Sequence, residues 1–210
     1  MTKVLIADDH AIVRAGLRQI VADTDDLVVA GEAANGYEAI EFTRRNPCDV
    51  VLLDIAMPGK DGLNTLKELK AEKPQLPVLI LSMYPEEQYA VRLLKAGASG
   101  YLTKESAPQE LVAAIRKVAK KGRYVSAALA EKLAFLLDDD GTRQPHERLS
   151  DREYQVMVMM ASGKTASEVA EVMCLSVKTI STYRVRALRK MGMRTNAEFA
   201  FYAMKEGLLG

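Results

Sequence analysis

Cysteine is scarce in this chain, and the little there is excludes two structural classes. Cys48 and Cys174 stand far apart, and neither has a CxxC or CxxH partner. Neither a disulfide framework nor a cysteine-built zinc site is indicated, so both are expected to be packing residues. Long apolar runs are missing as well: none reaches the roughly 20 residues that a spanning helix needs. The opening MTKVLIADD meets acid too soon for a secretory signal, and a cytoplasmic protein without membrane association is expected. Net charge is nearly absent, at +1 over 210 residues, a length that accommodates one large or two small domains.

That near-neutrality hides an asymmetry. Residues 1–121 hold 16 Lys or Arg against 17 Asp or Glu, whereas residues 149–210 hold 9 against 6. Between Val172 and Ala197 there is no acid, while Lys178, Arg184, Arg186, Arg189, Lys190 and Arg194 all occur. One face of the C-terminal part is therefore expected to be positive.

Short apolar runs at 4–7, 27–30, 50–53, 77–81 and 100–102 alternate with amphipathic stretches at 11–22, 37–45, 63–71, 86–96 and 109–120. In the last stretch Leu111, Ala114, Ile115 and Val118 recur at helical spacing. The alternation predicts a doubly wound α/β domain whose five-stranded parallel sheet is covered on both faces. The pattern stops near residue 121. A helix-like piece at 126–137 leads into DDDGTRQPHE, residues 138–147, whose charge, Gly and Pro mark an exposed linker in which His146 should be solvated. Capping-box patterns at Ser150/Glu153, Thr165/Glu168 and Thr195/Glu198, with Ser176 as a further cap, then predict helices over 151–162, 166–173, 177–191 and 197–206. Gly163, Gly192 and Gly207 sit where these helices would end. The expected division is 1–122, a connecting segment over 123–147, and a small all-α domain over 148–210.

Adjacent carboxylates at the mouth of a buried strand need a reason, and VLIADDH (4–10) places Asp8 and Asp9 there. Ligands of an open α/β sheet bind beyond the carboxyl ends of its strands. Asp54 ends the third apolar run, Ser82 ends the fourth, and Lys104 follows the fifth. Three converging carboxylates would repel and raise one another's pKa. A hard divalent cation removes the conflict, and Mg²⁺, with its preference for a few oxygens shared with phosphate, suits the set best. Asp54 could then serve as a nucleophile toward a phosphoryl group, with Ser82 and Lys104 on its oxygens. His10 adjoins the acids but is a poor ligand for a cation that favours oxygen. A Mg²⁺-dependent phosphatase of the haloacid dehalogenase type would want D-x-D after the first strand, whereas this chain has D-D.

The set D-D, D-x-x-M-P-G-x-D-G (54–62), L-S and Y-L-x-K resembles the receiver domain of two-component response regulators over residues 3 to 121. The resemblance implies a flavodoxin-like fold with strand order 2-1-3-4-5 and phosphorylation of Asp54 by a sensor histidine kinase. It implies Mg²⁺ held directly by Asp9, Asp54 and the backbone carbonyl of Ala56, and through water by Asp8. It also implies Ser82 and Lys104 as phosphoryl-binding groups, with Ser82 and Tyr101 as the switch pair and the Tyr101 ring moving inward. Many receivers have a cis proline after the lysine; Glu105 stands there, and a trans bond is expected because a non-proline cis bond costs about 2.5–4 kcal/mol.

In the C-terminal part, Tyr154, Met157, Val158 and Ala161 form one apolar face, Val169, Ala170 and Met173 a second, and Ile180, Ala187, Leu188 and Met191 a third. Lys178, Ser181, Thr182 and Val185 should point outward together from the basic helix, an arrangement suited to a major groove. The runs L-S-x-R-E, G-K-T-x-x-E-V-A and L-S-V-K-T-I-S-T-Y resemble the LuxR-type helix-turn-helix domain, and with the receiver they resemble a NarL/FixJ-type response regulator. By that resemblance, Lys178, Ser181, Thr182 and Val185 face base edges, and Thr179, Tyr183, Arg184, Arg186 and Lys190 bind phosphates. Tyr183 replaces a histidine common at its position, and Arg184 replaces a residue that is often apolar. The implied protein is a homodimer when phosphorylated and binds promoter DNA, with RNA polymerase left open as a further contact. It catalyses only its own phosphoryl transfer and loss.

Overall fold

The computed structural model describes residues 1–57, 60, 62–84, 86–106, 108–126, 129–130 and 144–209, with the backbone alone for Glu87 and Gln88. Most of the helix expected over 126–137 and of the linker over 138–147 lies outside these residues, as do Pro58, Gly59 and Asp61 of the D-x-x-M-P-G-x-D-G run. The chain divides into two compact units, Met1–Ala130 and Glu131–Gly210.

The first unit alternates β1 (Thr2–Ala7), α1 (Ala11–Ala22), β2 (Leu27–Ala33), α2 (Gly36–Arg45), β3 (Val50–Asp54), α3 (Gly62–Glu72), β4 (Val78–Ser82), α4 (Glu86–Lys95), β5 (Gly100–Thr103) and α5 (Pro108–Ala119). The sheet is parallel, in the order β2-β1-β3-β4-β5. Every residue of β3 and β4 is buried, which explains why their sequences read as continuous rather than alternating apolar runs. Side chains leave alternate faces of each strand. Val4, Ile6, Leu52 and Leu79 join Leu17 and Val21 of α1 and Leu111, Ala114, Ile115 and Val118 of α5 in one core cluster. Among the described residues no peptide bond is cis, that after Lys104 included.

Beyond α5 the chain turns at Lys121, which has φ +62°, and returns to the sheet. Tyr124 bridges Gly100 in parallel, its N–H donating to the Ser99 carbonyl at 2.9 Å and its carbonyl accepting from the Tyr101 N–H at 3.2 Å. Only glycine permits this approach, since a Cβ at position 100 would stand 2.5 Å from the Tyr124 carbonyl oxygen. The strap is tied down by the Tyr124 hydroxyl on Glu110 of α5 (3.1 Å) and by Ser126 on Glu86 of α4.

In the second unit a 3₁₀ turn (Pro145–Arg148) precedes α6 (Asp151–Ala161), α7 (Ala166–Val172), α8 (Val177–Met191) and α9 (Asn196–Lys205). All three capping boxes form, and Ser176 caps α8 through the Thr179 N–H. Gly163, Gly192 and Gly207 take positive φ after helix ends. The expected apolar face of α6, Tyr154, Met157, Val158 and Ala161, is buried, and burial extends around the helix from Glu153 to Ala161, which makes it the central helix of the unit. Two expectations are corrected. Cys174 is exposed, at φ +51° in the turn between α7 and α8, and is not a packing residue, whereas Cys48 is half-buried. His146 is half-buried rather than solvated, because its Nδ1 lies 2.8 Å from the Tyr202 hydroxyl and its ring faces Tyr154 and Tyr202. Burial pushes the Tyr202 phenol up to about 12.

Candidate functional site

Four strand ends deliver the chemistry to one place. Asp8, Asp54 and Ser82 are at most 1% exposed there, although all three are polar. Lys104, presented by the turn after β5, puts its Nζ 2.8 Å from Asp54 Oδ2 and 2.6 Å from Asp8 Oδ2. Burial pushes the Asp54 carboxyl above its usual range, and the Lys104 ammonium only partly pulls it back. Lys104 shows the reverse balance: burial lowers its pKa, but Asp54 and Asp8 together hold it above the usual value. The second Asp54 oxygen, Oδ1, accepts from the Ala56 N–H at 3.1 Å. α3 must begin close behind this carboxylate; Gly62 donates its N–H to the Ile55 carbonyl (3.2 Å), and a Cβ there would lie 2.3 Å from the Asp54 carbonyl oxygen.

Asp8, Asp9, His10 and Asp54 bring ligand atoms within 4.8 Å of one another, so the described residues include an acidic group able to hold a metal ion. Asp8 Oδ2 and Asp9 Oδ1 are buried and accept no hydrogen bond; the first faces Lys104 and the second His10 Nδ1, at 2.9 Å. The His10 side chain is 63% exposed, consistent with a peripheral place. Ala56 is exposed beside Asp54.

Ser82 and Tyr101 meet at one residue, Tyr84. The Ser82 Oγ accepts from the Tyr84 N–H at 3.0 Å, and the Tyr101 hydroxyl donates to the Tyr84 carbonyl at 2.7 Å. The Tyr101 ring is buried and thus inward. Sequence reasoning missed Arg14, whose guanidinium donates to the Asp8 carbonyl (2.7 Å) and to Glu32 Oε2 (3.2 Å). It also missed Tyr124. For Arg14, the one available signal was a cation facing the sheet from α1 just past an acidic pair; for Tyr124, the sequence carried none.

On α8, Lys178, Ser181, Thr182, Val185 and Arg186 are exposed, while Thr179, Tyr183 and Arg184 are half-buried. The helix thus gathers most of the expected DNA-facing residues on one solvent side. Two of the basic residues have side-chain partners within the unit. Lys190 Nζ lies 2.6 Å from the buried Glu153 carboxylate, and Arg184 Nε donates to Asn196 Oδ1 at 2.6 Å. The Thr182 hydroxyl donates back to the Lys178 carbonyl at 2.9 Å, and Thr179 shares a hydrogen bond with Ser176 at 2.8 Å.

A buried acid–lysine cluster at the carboxyl end of a doubly wound sheet, joined to a capped helical unit with a basic exposed helix, defines a receiver coupled to a helix-turn-helix. The family model of the response regulator receiver domain matches residues 4–116, and that of bacterial regulatory proteins of the luxR family matches residues 147–203. Response regulator UvrY of Escherichia coli (strain K12) is 37% identical over 99% of this chain and 96% of its own. Response regulator GacA of Pseudomonas aeruginosa is 36% identical over 100% and 98%. A structure of RcsB from Salmonella enterica serovar Typhimurium, bound to promoter rprA in the presence of the phosphomimetic BeF3-, covers 96% of this chain and 97% of its own at 27% identity, with a TM-score of 0.65. The chain belongs to the NarL/FixJ-type response regulators, the transcription regulators of two-component systems.

Proposed function

We propose that Asp54 accepts a phosphoryl group from a sensor histidine kinase and that the phosphorylated chain binds promoter DNA as a homodimer in the cytoplasm. The observation that carries this reading is the single Lys104 ammonium shared by two buried carboxylates, Asp54 and Asp8. Such a charge stands ready for phosphoryl oxygens without reorganisation. In the transfer, an Asp54 carboxylate oxygen forms a bond to phosphorus as the bond from phosphorus to the kinase histidine nitrogen breaks, and that nitrogen keeps the electron pair. Ser82, whose Oγ accepts from Tyr84, would donate its own proton to a phosphoryl oxygen. Lys104 binds another.

Residues on the page fit Mg²⁺: every donor apart from His10 is oxygen, and Asp9 Oδ1 is buried without a hydrogen bond. Asp9, Asp54 and the Ala56 carbonyl would hold the ion. Asp8 would reach it through water, because its Oδ1 already accepts from the His10 N–H (2.8 Å) and its Oδ2 faces Lys104. When bound, Mg²⁺ neutralises charge on the phosphoryl oxygens.

The inward position of Tyr101 is available to the chain, so phosphorylation would act by shifting a population. DNA contact falls to Lys178, Ser181, Thr182 and Val185 at base edges and to Thr179, Tyr183, Arg184 and Arg186 at phosphates, with Lys190 drawn away by Glu153. RNA polymerase is a further partner in this reading, and no catalysis beyond the chain's own phosphoryl transfer and loss is assigned. Support for the DNA part comes from RcsB, which binds a promoter in the presence of a phosphomimetic. The test is intact mass after incubation with Mg²⁺ and acetyl phosphate. Wild type should gain one phosphoryl group and Asp54→Ala none, followed by a gain in promoter affinity in a gel shift. A folded wild type that gains nothing leaves a constitutive DNA binder.

A further inference from the structure

Asp8 is fixed at every polar atom. Its N–H donates to the Ala33 carbonyl at 3.0 Å, its Oδ1 accepts from the His10 N–H, and its Oδ2 meets Lys104. The remaining atom, the backbone carbonyl oxygen that opens the Asp8–Asp9–His10 turn, accepts from Arg14 Nη1 at 2.7 Å. Arg14 stands on the first turn of α1 and is anchored in turn, because its Nε donates to Glu32 Oε2 on β2 at 3.2 Å. Arg18 grips the other Glu32 oxygen at 2.7 Å. The side chain of Arg14 is 17% exposed and that of Arg18 is 57% exposed, so the inner arginine is largely buried and the outer one largely solvated.

The rest of the turn is held through His10, whose N–H donates to Asp8 Oδ1 and whose Nδ1 lies 2.9 Å from Asp9 Oδ1. His10 is the N-cap of α1 but makes no side-chain cap hydrogen bond, and the first turn of α1 carries no acid. The peptide joining Asp8 to Asp9 is held through its carbonyl by Arg14. Its orientation bears on where the Asp9 carboxylate points, and Asp9 Oδ1 is buried without a hydrogen bond. A planar guanidinium can hold a carbonyl and a carboxylate at once in fixed directions, whereas an ammonium is a point charge on a flexible stem. Glu32 balances the added charge, so the contact acts through geometry rather than by repelling a cation.

We propose that Arg14, buttressed by Glu32, is the positioning residue of the acidic turn, and that it sets the affinity of Asp9 for the divalent cation. The inference rests on the cation site described under the proposed function. Its test is calorimetric titration of the full chain with Mg²⁺ alone, beside the rate of acetyl phosphate labelling at saturating Mg²⁺. Arg14→Ala and Arg14→Lys should both weaken Mg²⁺ by about tenfold, as loss of a group that orients a metal ligand does. Their labelling rate should return to within about twofold of wild type once Mg²⁺ is saturating, a split that general loss of structure would not produce. Arg18→Ala, which leaves the Asp8 contact in place, should bind Mg²⁺ as wild type does. Unchanged affinity in both Arg14 variants overturns the proposal, as does a labelling rate that saturating Mg²⁺ fails to restore. An Arg14→Lys variant that binds like wild type shows that charge alone matters and overturns it too. If wild type itself takes up no Mg²⁺, the cation site falls and the role of Arg14 with it.

Discussion

Single residues in this chain do more than one thing, and Glu153 shows the physical cost. Its carboxylate accepts from the Ser150 N–H at 2.7 Å to complete a capping box, and it meets Lys190 at 2.6 Å while being 3% exposed. Burial pushes the carboxyl up, but the hydrogen bonds from Lys190 and Ser150 outweigh it and hold the pKa below the usual value. A carboxyl depressed on folding stabilises the fold fully above its unfolded pKa, about 4.3, and loses that contribution as the pH falls through the lower folded value. Glu153→Gln should therefore cost about 1–3 kcal/mol at pH 7. The gap between wild type and variant in urea denaturation should close as the pH drops below about 4. A gap that persists in acid would assign the effect to packing instead.

Elements were more legible than the contacts between them. Each of the five apolar runs falls on a strand, with only Pro77 left outside β4, and the capping motifs mark the starts of α6, α7 and α9, because period and capping chemistry are local. Strand ends were blurred by a few residues: β2 runs on to Ala33, three residues past the apolar run, since its edge position lets Gly31 and Glu32 continue the ladder. The acid, serine and lysine positions were legible because strand ends are where an open sheet binds ligands. What stayed hidden was tertiary. The Arg14–Glu32 tie, the Lys190–Glu153 pair and the His146–Tyr202 contact join positions whose neighbourhood follows from the fold, not from spacing. On α8 this has a measurable consequence. Arg186→Ala, an exposed change, should weaken specific and non-specific DNA alike and lower the salt slope of binding by about one. Lys190→Ala should instead strip a buried carboxylate of its partner, lowering stability in denaturation by about 1–3 kcal/mol while leaving the salt slope nearly unchanged. Equal salt slopes for the two variants would refute the distinction.

The whole molecule pairs a unit that stores a chemical signal with one that reads a nucleic acid, and DNA binding should depend on two copies at once. Two helix-turn-helix units on one duplex demand half-sites in rotational phase, about 10 base pairs centre to centre or a multiple of it. Inserting about 5 base pairs, half a turn, between the half-sites should abolish cooperative binding by phosphorylated protein in a gel shift, and a further 5 should restore much of it. Indifference to spacing would mean that the copies bind singly.

Where a second copy could meet this chain is narrowed by Tyr124. In the order β2-β1-β3-β4-β5, β5 is an outer strand, a place where unpaired amides and carbonyls ordinarily invite another chain to add itself to the sheet. Here Tyr124 takes up the Tyr101 N–H and the Ser99 carbonyl, so that stretch of backbone is already spoken for. A second receiver cannot add a strand at that stretch, which leaves association beside it to side chains such as those of α4 and α5. Recognition beside Tyr124 is thereby left to side chains, which read sequence where a bare strand edge would accept any extended chain.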